Sequence, residues 1–127
     1  MKKIINSKNA PAPVGPYNHS VQVGNVLFVS GQIALDASTG ELVNDSIENE
    51  THQVLKNLGA ILTTAGRSFA DVAKVSVFVS DMANYSRINA VYATYFDEET
   101  APARELVEVA ALPKYVNIEI SAIVAMP

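Results

Sequence analysis

Apolar and polar positions along the chain fall into short blocks whose period changes several times. Val21 and Val23, the pair Gly24-Asn25, and Val26-Leu27-Phe28-Val29-Ser30 predict a hairpin whose second strand is largely buried. Ile47, Thr51, Val54, Leu55, Leu58, Ile61 and Leu62 recur at helical spacing. Asp45 and Glu48 have the spacing of a capping pair at the start of that helix, and Gly66 is its stop signal. From Val72 to Ser80 the period becomes two, with Ala73, Val75, Val77 and Val79 on one face and Lys74, Ser76, Phe78 and Ser80 on the other. Asp81 suits the cap of a second helix, in which Met82, Tyr85, Asn89, Tyr92 and Phe96 form a stripe. The run Asp97-Glu98-Glu99 opposes the helix dipole and marks its end. Two strands follow, Arg104–Val109 and Val116–Ala125, separated by Leu112-Pro113-Lys114. With a short first strand at Lys3–Ile5 the order is β-β-β-α-β-α-β-β. Two helices cannot cover both faces of a six-stranded sheet. The expected architecture is α+β with both helices on one side, and the other face, if apolar, needs a partner.

Length and composition narrow the picture. The 127 residues form one domain, 1–127, with no repeat or linker, and 49% hydrophobic against 17% charged residues describes a folded chain. There is no cysteine, which removes thiolate nucleophiles, iron–sulfur clusters and cysteine-bound zinc and fits a reducing compartment. Nine basic against thirteen acidic residues give a net charge of −4, which repels a phosphate backbone. Met1-Lys2-Lys3-Ile4-Ile5 starts like a secretory leader, but Asn6, Ser7, Lys8 and Asn9 end the apolar run. No stretch approaches the roughly 20 apolar residues of a membrane span. The chain reads as soluble and cytoplasmic.

Few residues suggest chemistry. Neither nucleotide-binding glycine pattern occurs. His19 and His52 are far apart in sequence and lack metal-site spacing, so no metal is expected. His52 reads as a helix-surface residue. His19, just after the loop Ala10-Pro11-Ala12-Pro13-Val14-Gly15-Pro16, is balanced between a site and a structural role. Ser30 in Ser30-Gly31-Gln32 reads as a strand-end hydroxyl or a ligand contact. Arg104 is the strongest clue, because an arginine on a partly buried strand needs an anion. Glu119 or Glu108 would serve as a protein partner; otherwise Arg104 is a fork for a substrate carboxylate. Glu119 interrupts Ile118 and Ile120, and alternation puts it on one face with Asn117 and Ser121. Asn89 breaks an apolar helical stripe and should find a buried partner; Tyr85 and Tyr92 on that stripe read as core.

Ala10-Pro11-Ala12 with Gly15-Pro16-Tyr17, Ser30-Gly31-Gln32-Ile33, Asn89-Ala90-x-Tyr92, Pro102-Ala103-Arg104, and Leu112-Pro113 through Ile118-Glu119-Ile120 occur in this order. The ordered set closely resembles the RidA family (YjgF/YER057c/UK114), the imine and enamine deaminases, over virtually the whole chain. The resemblance implies a chorismate-mutase-like fold, with a six-stranded mixed sheet and two helices on one face. It also implies a homotrimer around a central barrel, with sites between subunits. It implies hydrolysis of 2-enamines and 2-imines, such as 2-aminoacrylate and 2-iminobutanoate, to 2-oxo acids and ammonia, without a cofactor. By position, Arg104 resembles the carboxylate clamp and Glu119 the residue that activates water. Tyr17, Ser30, Gly31 and Asn89 resemble pocket contacts.

Departures from the family pattern cluster around the clamp. Many bacterial members read Pro-Ala-Arg-Ser-Cys, whereas Arg104 is followed here by Glu105 and Leu106. Alternation puts Leu106 on the Arg104 side, making it a candidate substrate contact, and turns Glu105 away. Ala111 and Ser121 stand where arginine and a second glutamate are common. Two other readings compete. A non-catalytic trimer that binds or senses a small carboxylate would use the same clamp. Ribonuclease activity, or inhibition of translation, is attributed to some relatives; the net charge and the dispersed lysines argue against it.

Overall fold

In the computed structural model, which describes residues 1–127, the strands are β1 (Lys2–Ile5), β2 (Ser20–Val23), β3 (Val26–Gln32), β4 (Val72–Val79), β5 (Ala103–Glu108) and β6 (Ile118–Ala125). The helices are α1 (Ile47–Thr64) and α2 (Tyr85–Tyr92). The six strands form one mixed sheet in the order β1-β2-β3-β6-β4-β5. Only β4 and β5 are parallel, joined by the crossover through α2. The fold is the expected α+β arrangement, with both helices on one face. No helix is long and apolar enough to cross a membrane.

The core lies between the sheet and the helices. Val75, Val77 and Val79 of β4 and Ile118 and Ile120 of β6 are fully buried against Val54, Leu55, Leu58 and Ile61 of α1. Burying each such side chain stabilises the fold by roughly 1.5–3 kcal/mol. The last strand in sequence sits centrally because its alternate residues are the apolar ones on this face.

The ends of α1 show local chemistry. Ser46, not Asp45, is the N-cap: its Oγ accepts from the Asn49 backbone N–H at 3.0 Å. Asp45 instead accepts from the Asn49 side-chain amide, and Glu48 forms a two-bond pair with Arg87 at 2.6 and 2.8 Å. The expected Asp45–Glu48 box is therefore displaced by one residue, since a serine oxygen reaches the third amide from the cap position. At the other end Gly66 has φ +71°, the Gly66 N–H donates to Thr63 O, and the Arg67 N–H donates to Leu62 O. These two bonds are a Schellman stop, as the glycine foretold.

Other boundaries shift for physical reasons. Asp81 caps as expected, accepting from the Ala83 N–H at 2.9 Å, but it opens a 3-10 turn at Met82–Asn84 that leads into α2. The helix stops at Tyr92 rather than near Phe96. There the Thr94 hydroxyl and the Thr94 N–H both donate to Val91 O, tightening the chain into i+3 turns. In β4 the register against β6 slips between Val72 and Lys74, so Val72 is buried and Ala73 is exposed. Ala73 thus leaves the valine face on which alternation put it, the usual effect of a bulge. β5 begins and ends one residue earlier than the sequence pattern suggests.

Asn117 also departs from alternation, because β6 starts only at Ile118. Its backbone N–H and side-chain amide both donate to Glu50 at 2.8 Å, and its carbonyl accepts from the Ser80 N–H. Glu50, on α1, is fully buried. A buried carboxylate needs donors, and this one draws Asn117 toward the helix layer instead of the Glu119 face.

The sheet face away from the helices carries Phe28 and Ile123 as neighbours on β3 and β6, with Val107 on β5, all partly exposed. Polar groups interrupt it: Glu105 faces this side, bonded to Ser76 and paired with Lys74 at 3.0 Å. Glu105 thus points away from Arg104, as alternation predicts.

Candidate active site

The sequence-selected residues gather into two clusters on opposite faces of the sheet. Arg104 pairs in register with the buried Val75, so it projects toward the helices. Glu119 pairs with Phe78, three residues further along β4, so it projects from the open face. A single chain does not bring the two together.

Around Arg104 the contacts come from α2. Its Nη1 donates to Asn89 Oδ1 at 2.7 Å, which is the partner Asn89 was expected to need, and its Nη2 donates to Tyr85 Oη at 3.4 Å. The guanidinium lies over the Tyr92 ring, 4.7 Å from the centroid, and Tyr92 stacks on Phe96 at 4.5 Å. This cation–π contact and the hydrogen bond hold the fork flat. No carboxylate pairs with it: the ion pairs are Arg67–Asp71, Lys74–Glu105 and Arg87–Glu48. Glu108 is engaged by the Met82 N–H, and Glu119 is on the other face. Both protein partners considered for Arg104 are therefore excluded within the chain. Arg104 is a half-buried cation whose neighbours are neutral.

The tyrosines beside it differ. Tyr92 is buried as expected, and burial pushes its phenol up, opposed by the Arg104 charge. Tyr85 is not core; it is 40% exposed. The Asn89 side chain and the Arg104 charge hold its phenol below the ordinary value. Leu106 lies on the Arg104 face, opposite Val77, and packs against the edge of the hydrophobic core.

The second cluster surrounds a cleft of about 100 Å³, lined by Tyr17, His19, Gly31, Gln32, Lys114 and Glu119 among others. Gly31 sits at the β3 bulge, between Val29 and Gln32. A Cβ there would stand 2.6 Å from Glu119 Oε2, so only glycine lets the carboxylate lie where it does. No protein donor holds that carboxylate, and burial pushes it above the usual range. Burial disfavours the charged form, so this carboxyl keeps its proton to higher pH than an exposed glutamate does.

The walls of the cleft are fastened by local bonds. His19 is buried; its Nδ1 accepts from the Ser7 N–H at 3.0 Å, so Nε2 carries the proton and donates to Pro11 O at 2.6 Å. Both ring nitrogens are thus spent on shaping the proline-rich loop. Ser30 Oγ donates to Asn18 O at 2.7 Å, stapling the same loop to β3. Tyr17 Oη accepts from the Val14 N–H at 3.4 Å while its ring stays exposed. Lys114 and Tyr115 both have φ +54°, a conformation that costs non-glycine residues about 1–2 kcal/mol each. Strain of this kind collects at functional sites. The sequence did not mark Lys114 as a site residue, and it read Tyr85 as core. The Leu112-Pro113 turn marked the loop but not its conformation. His52 is half-buried, with Nδ1 2.9 Å from Tyr95 Oη, rather than lying free on the helix surface. No three His, Asp or Glu side chains come together to hold a metal ion.

Comparison with known proteins adds an independent finding. The family model described as endoribonuclease L-PSP matches residues 7–126. A RutC family protein of Pyrococcus horikoshii is 51% identical over 123 residues, covering 97% of each chain. The 2-iminobutanoate/2-iminopropanoate deaminase of Mus musculus is 44% identical over 123 residues, 97% of this chain and 90% of that protein. The crystal structure of E. coli TdcF with bound serine superposes with a TM-score of 0.92 at 41% identity, covering 98% of this chain and 99% of that one. With an ordered motif set, a shared fold and matches over nearly its full length, the chain belongs to the endoribonuclease L-PSP family, the YjgF/RidA proteins.

Proposed function

We propose that this protein hydrolyses 2-imino acids and their enamine tautomers, such as 2-iminobutanoate and 2-aminoacrylate, to 2-oxo acids and ammonia. The observation that carries the reading is Arg104, a half-buried guanidinium held flat by Asn89 and Tyr92 with no carboxylate partner in the chain. A guanidinium of this kind suits a planar carboxylate, to which it donates charge-assisted hydrogen bonds. The deaminase name of the mouse relative and the serine bound to TdcF both fit a small carboxylate substrate.

The chemistry asks little of the protein. Water adds to the imine carbon as one of its protons passes to the nitrogen. The hydroxyl of the resulting carbinolamine then gives up its proton, the nitrogen gains it, and the carbon–nitrogen bond breaks to release ammonia and leave the 2-oxo acid. In this reading Glu119 accepts the proton from water and returns it to the departing nitrogen, a shuttle suited to its raised pKa. Holding the carboxylate and the water in register supplies much of the rest. No cofactor enters.

Arg104 and Glu119 lie on opposite faces of one sheet, so the reading requires an assembly in which the Arg104 edge of one chain meets the open face of another. A homotrimer with three such sites, working in the cytoplasm, completes the proposal. Tyr17, Ser30 and Gly31 then belong to the Glu119 side of each site, and Asn89 and Leu106 to the Arg104 side.

The test generates 2-iminobutanoate from threonine with a dehydratase and follows its decay with and without the protein. Acceleration that is lost in Arg104→Ala, and mostly lost in Arg104→Lys, supports the reading. Arg104→Ala within about twofold of wild type refutes the clamp, since a lost charged hydrogen bond should cost about 1.5–3 kcal/mol. Binding of 2-oxobutanoate without any acceleration of imine decay would favour a carboxylate-binding protein instead.

A further inference from the structure

We propose that Tyr85 is a ligand-binding residue of the Arg104 site, whose phenol donates a hydrogen bond to the same carboxylate that the guanidinium holds. This rests on the carboxylate reading of Arg104 and extends it to a residue that the sequence pattern had placed in the core.

The argument is an inventory of donors and acceptors. A phenol oxygen has one proton to give and two lone pairs to offer. The Tyr85 oxygen accepts from Arg104 Nη2 at 3.4 Å. Its acceptor side is therefore turned toward the cation. Its own proton has no acceptor in the protein, and the side chain is 40% exposed. The group that belongs opposite that proton is an anionic oxygen.

Position supports the same conclusion. Tyr85 opens α2, one helical turn before Asn89 and two before Tyr92, so all three present to Arg104 from one face. They divide the task. Tyr92 is buried beneath the guanidinium, with its ring 4.7 Å from the charge, and stacks on Phe96. Asn89 fixes Nη1 at 2.7 Å. Tyr85 lies at the solvent side, and its bond to Nη2 is long, which leaves Nη2 available to a better acceptor. A carboxylate arriving from solvent takes Nη2 with one oxygen and meets the Tyr85 hydroxyl with the other. The phenol thus changes from a weak acceptor of the arginine to a donor toward the ligand. A phenylalanine at this position would keep the aromatic wall and lose the donor.

The experiment measures calorimetric binding of 2-oxobutanoate to wild type, Tyr85→Phe and Arg104→Ala, each as the assembled protein with its denaturation midpoint recorded. Tyr85→Phe removes one exposed hydroxyl and should leave the midpoint unchanged. The expected result is affinity about tenfold weaker in Tyr85→Phe, the lower end for a hydrogen bond to a charged group, and a larger loss in Arg104→Ala. Tyr85→Phe within about twofold of wild type, with Arg104→Ala unable to bind, overturns the role of Tyr85 and leaves the clamp standing. Arg104→Ala binding like wild type overturns the clamp and the Tyr85 contact with it.

Discussion

Replacing Gly31 by alanine is the sharpest test of Glu119, because it touches the carboxylate without altering it. Gly31 lies outside the left-handed region, so the substitution brings no backbone strain. Its new Cβ would stand 2.6 Å from Glu119 Oε2, 2.8 Å from Cδ and 3.1 Å from Cγ. Ordinary contact begins near 3.4 Å, so the carboxylate must retreat by about 0.8 Å. The obstructing atoms are the end of a flexible side chain, and an off-rotamer turn costs about 0.5–1.5 kcal/mol. The fold should therefore survive, with a denaturation midpoint lowered by only a few degrees. Hydrolysis should suffer far more, since misplacing a reacting group by about 1 Å can cost about 10²-fold. The assay is 2-iminobutanoate decay alongside thermal unfolding for wild type, Gly31→Ala, Glu119→Gln and the double variant. If alanine acts only by moving Glu119, the double variant should be no slower than Glu119→Gln, a coupling that independent sites would not show. A Gly31→Ala protein that turns over at the wild-type rate would refute the placement of Glu119 in the reaction.

Two further outcomes concern stability. Burial raises the Glu119 pKa, so the native state keeps this proton to higher pH than the unfolded chain does. The sign follows from linkage: stability falls as pH rises from the unfolded value through the raised native one, and the penalty is fully present above both. Glu119→Gln should thus be more stable than wild type near pH 8, with the advantage vanishing below about pH 4; urea midpoints at both pH values measure it, and parallel profiles would contradict it. Glu50→Gln should destabilise the fold by about 1.5–3 kcal/mol in urea titration, because the new amide turns a donor toward one of the two Asn117 donors. An unchanged midpoint would show that Asn117 finds other partners.

Much of this protein was legible before its structure. Period-two valines, the helical stripe ending at Gly66 and the Gly24-Asn25 turn are local signals. Local backbone sterics and one-sided burial suffice to read them, and they delivered the element order and the uncovered sheet face. Arg104, Glu119 and Asn89 stood out because each breaks an apolar pattern, and polar residues in such places need partners. What local pattern could not supply was register. The bulge at Ala73 and the Glu50–Asn117 bonds depend on pairings between segments up to 67 residues apart, and each turned a side chain away from its alternating face. The largest decision was also tertiary. Because β5 pairs with β4 at Val75 while β6 pairs at Phe78, Arg104 and Glu119 emerge from opposite faces, and Tyr85 is carried out of the core to the guanidinium. A sequence states which residues carry charge and proton; strand pairing, an interaction between distant segments, decides which of them can meet.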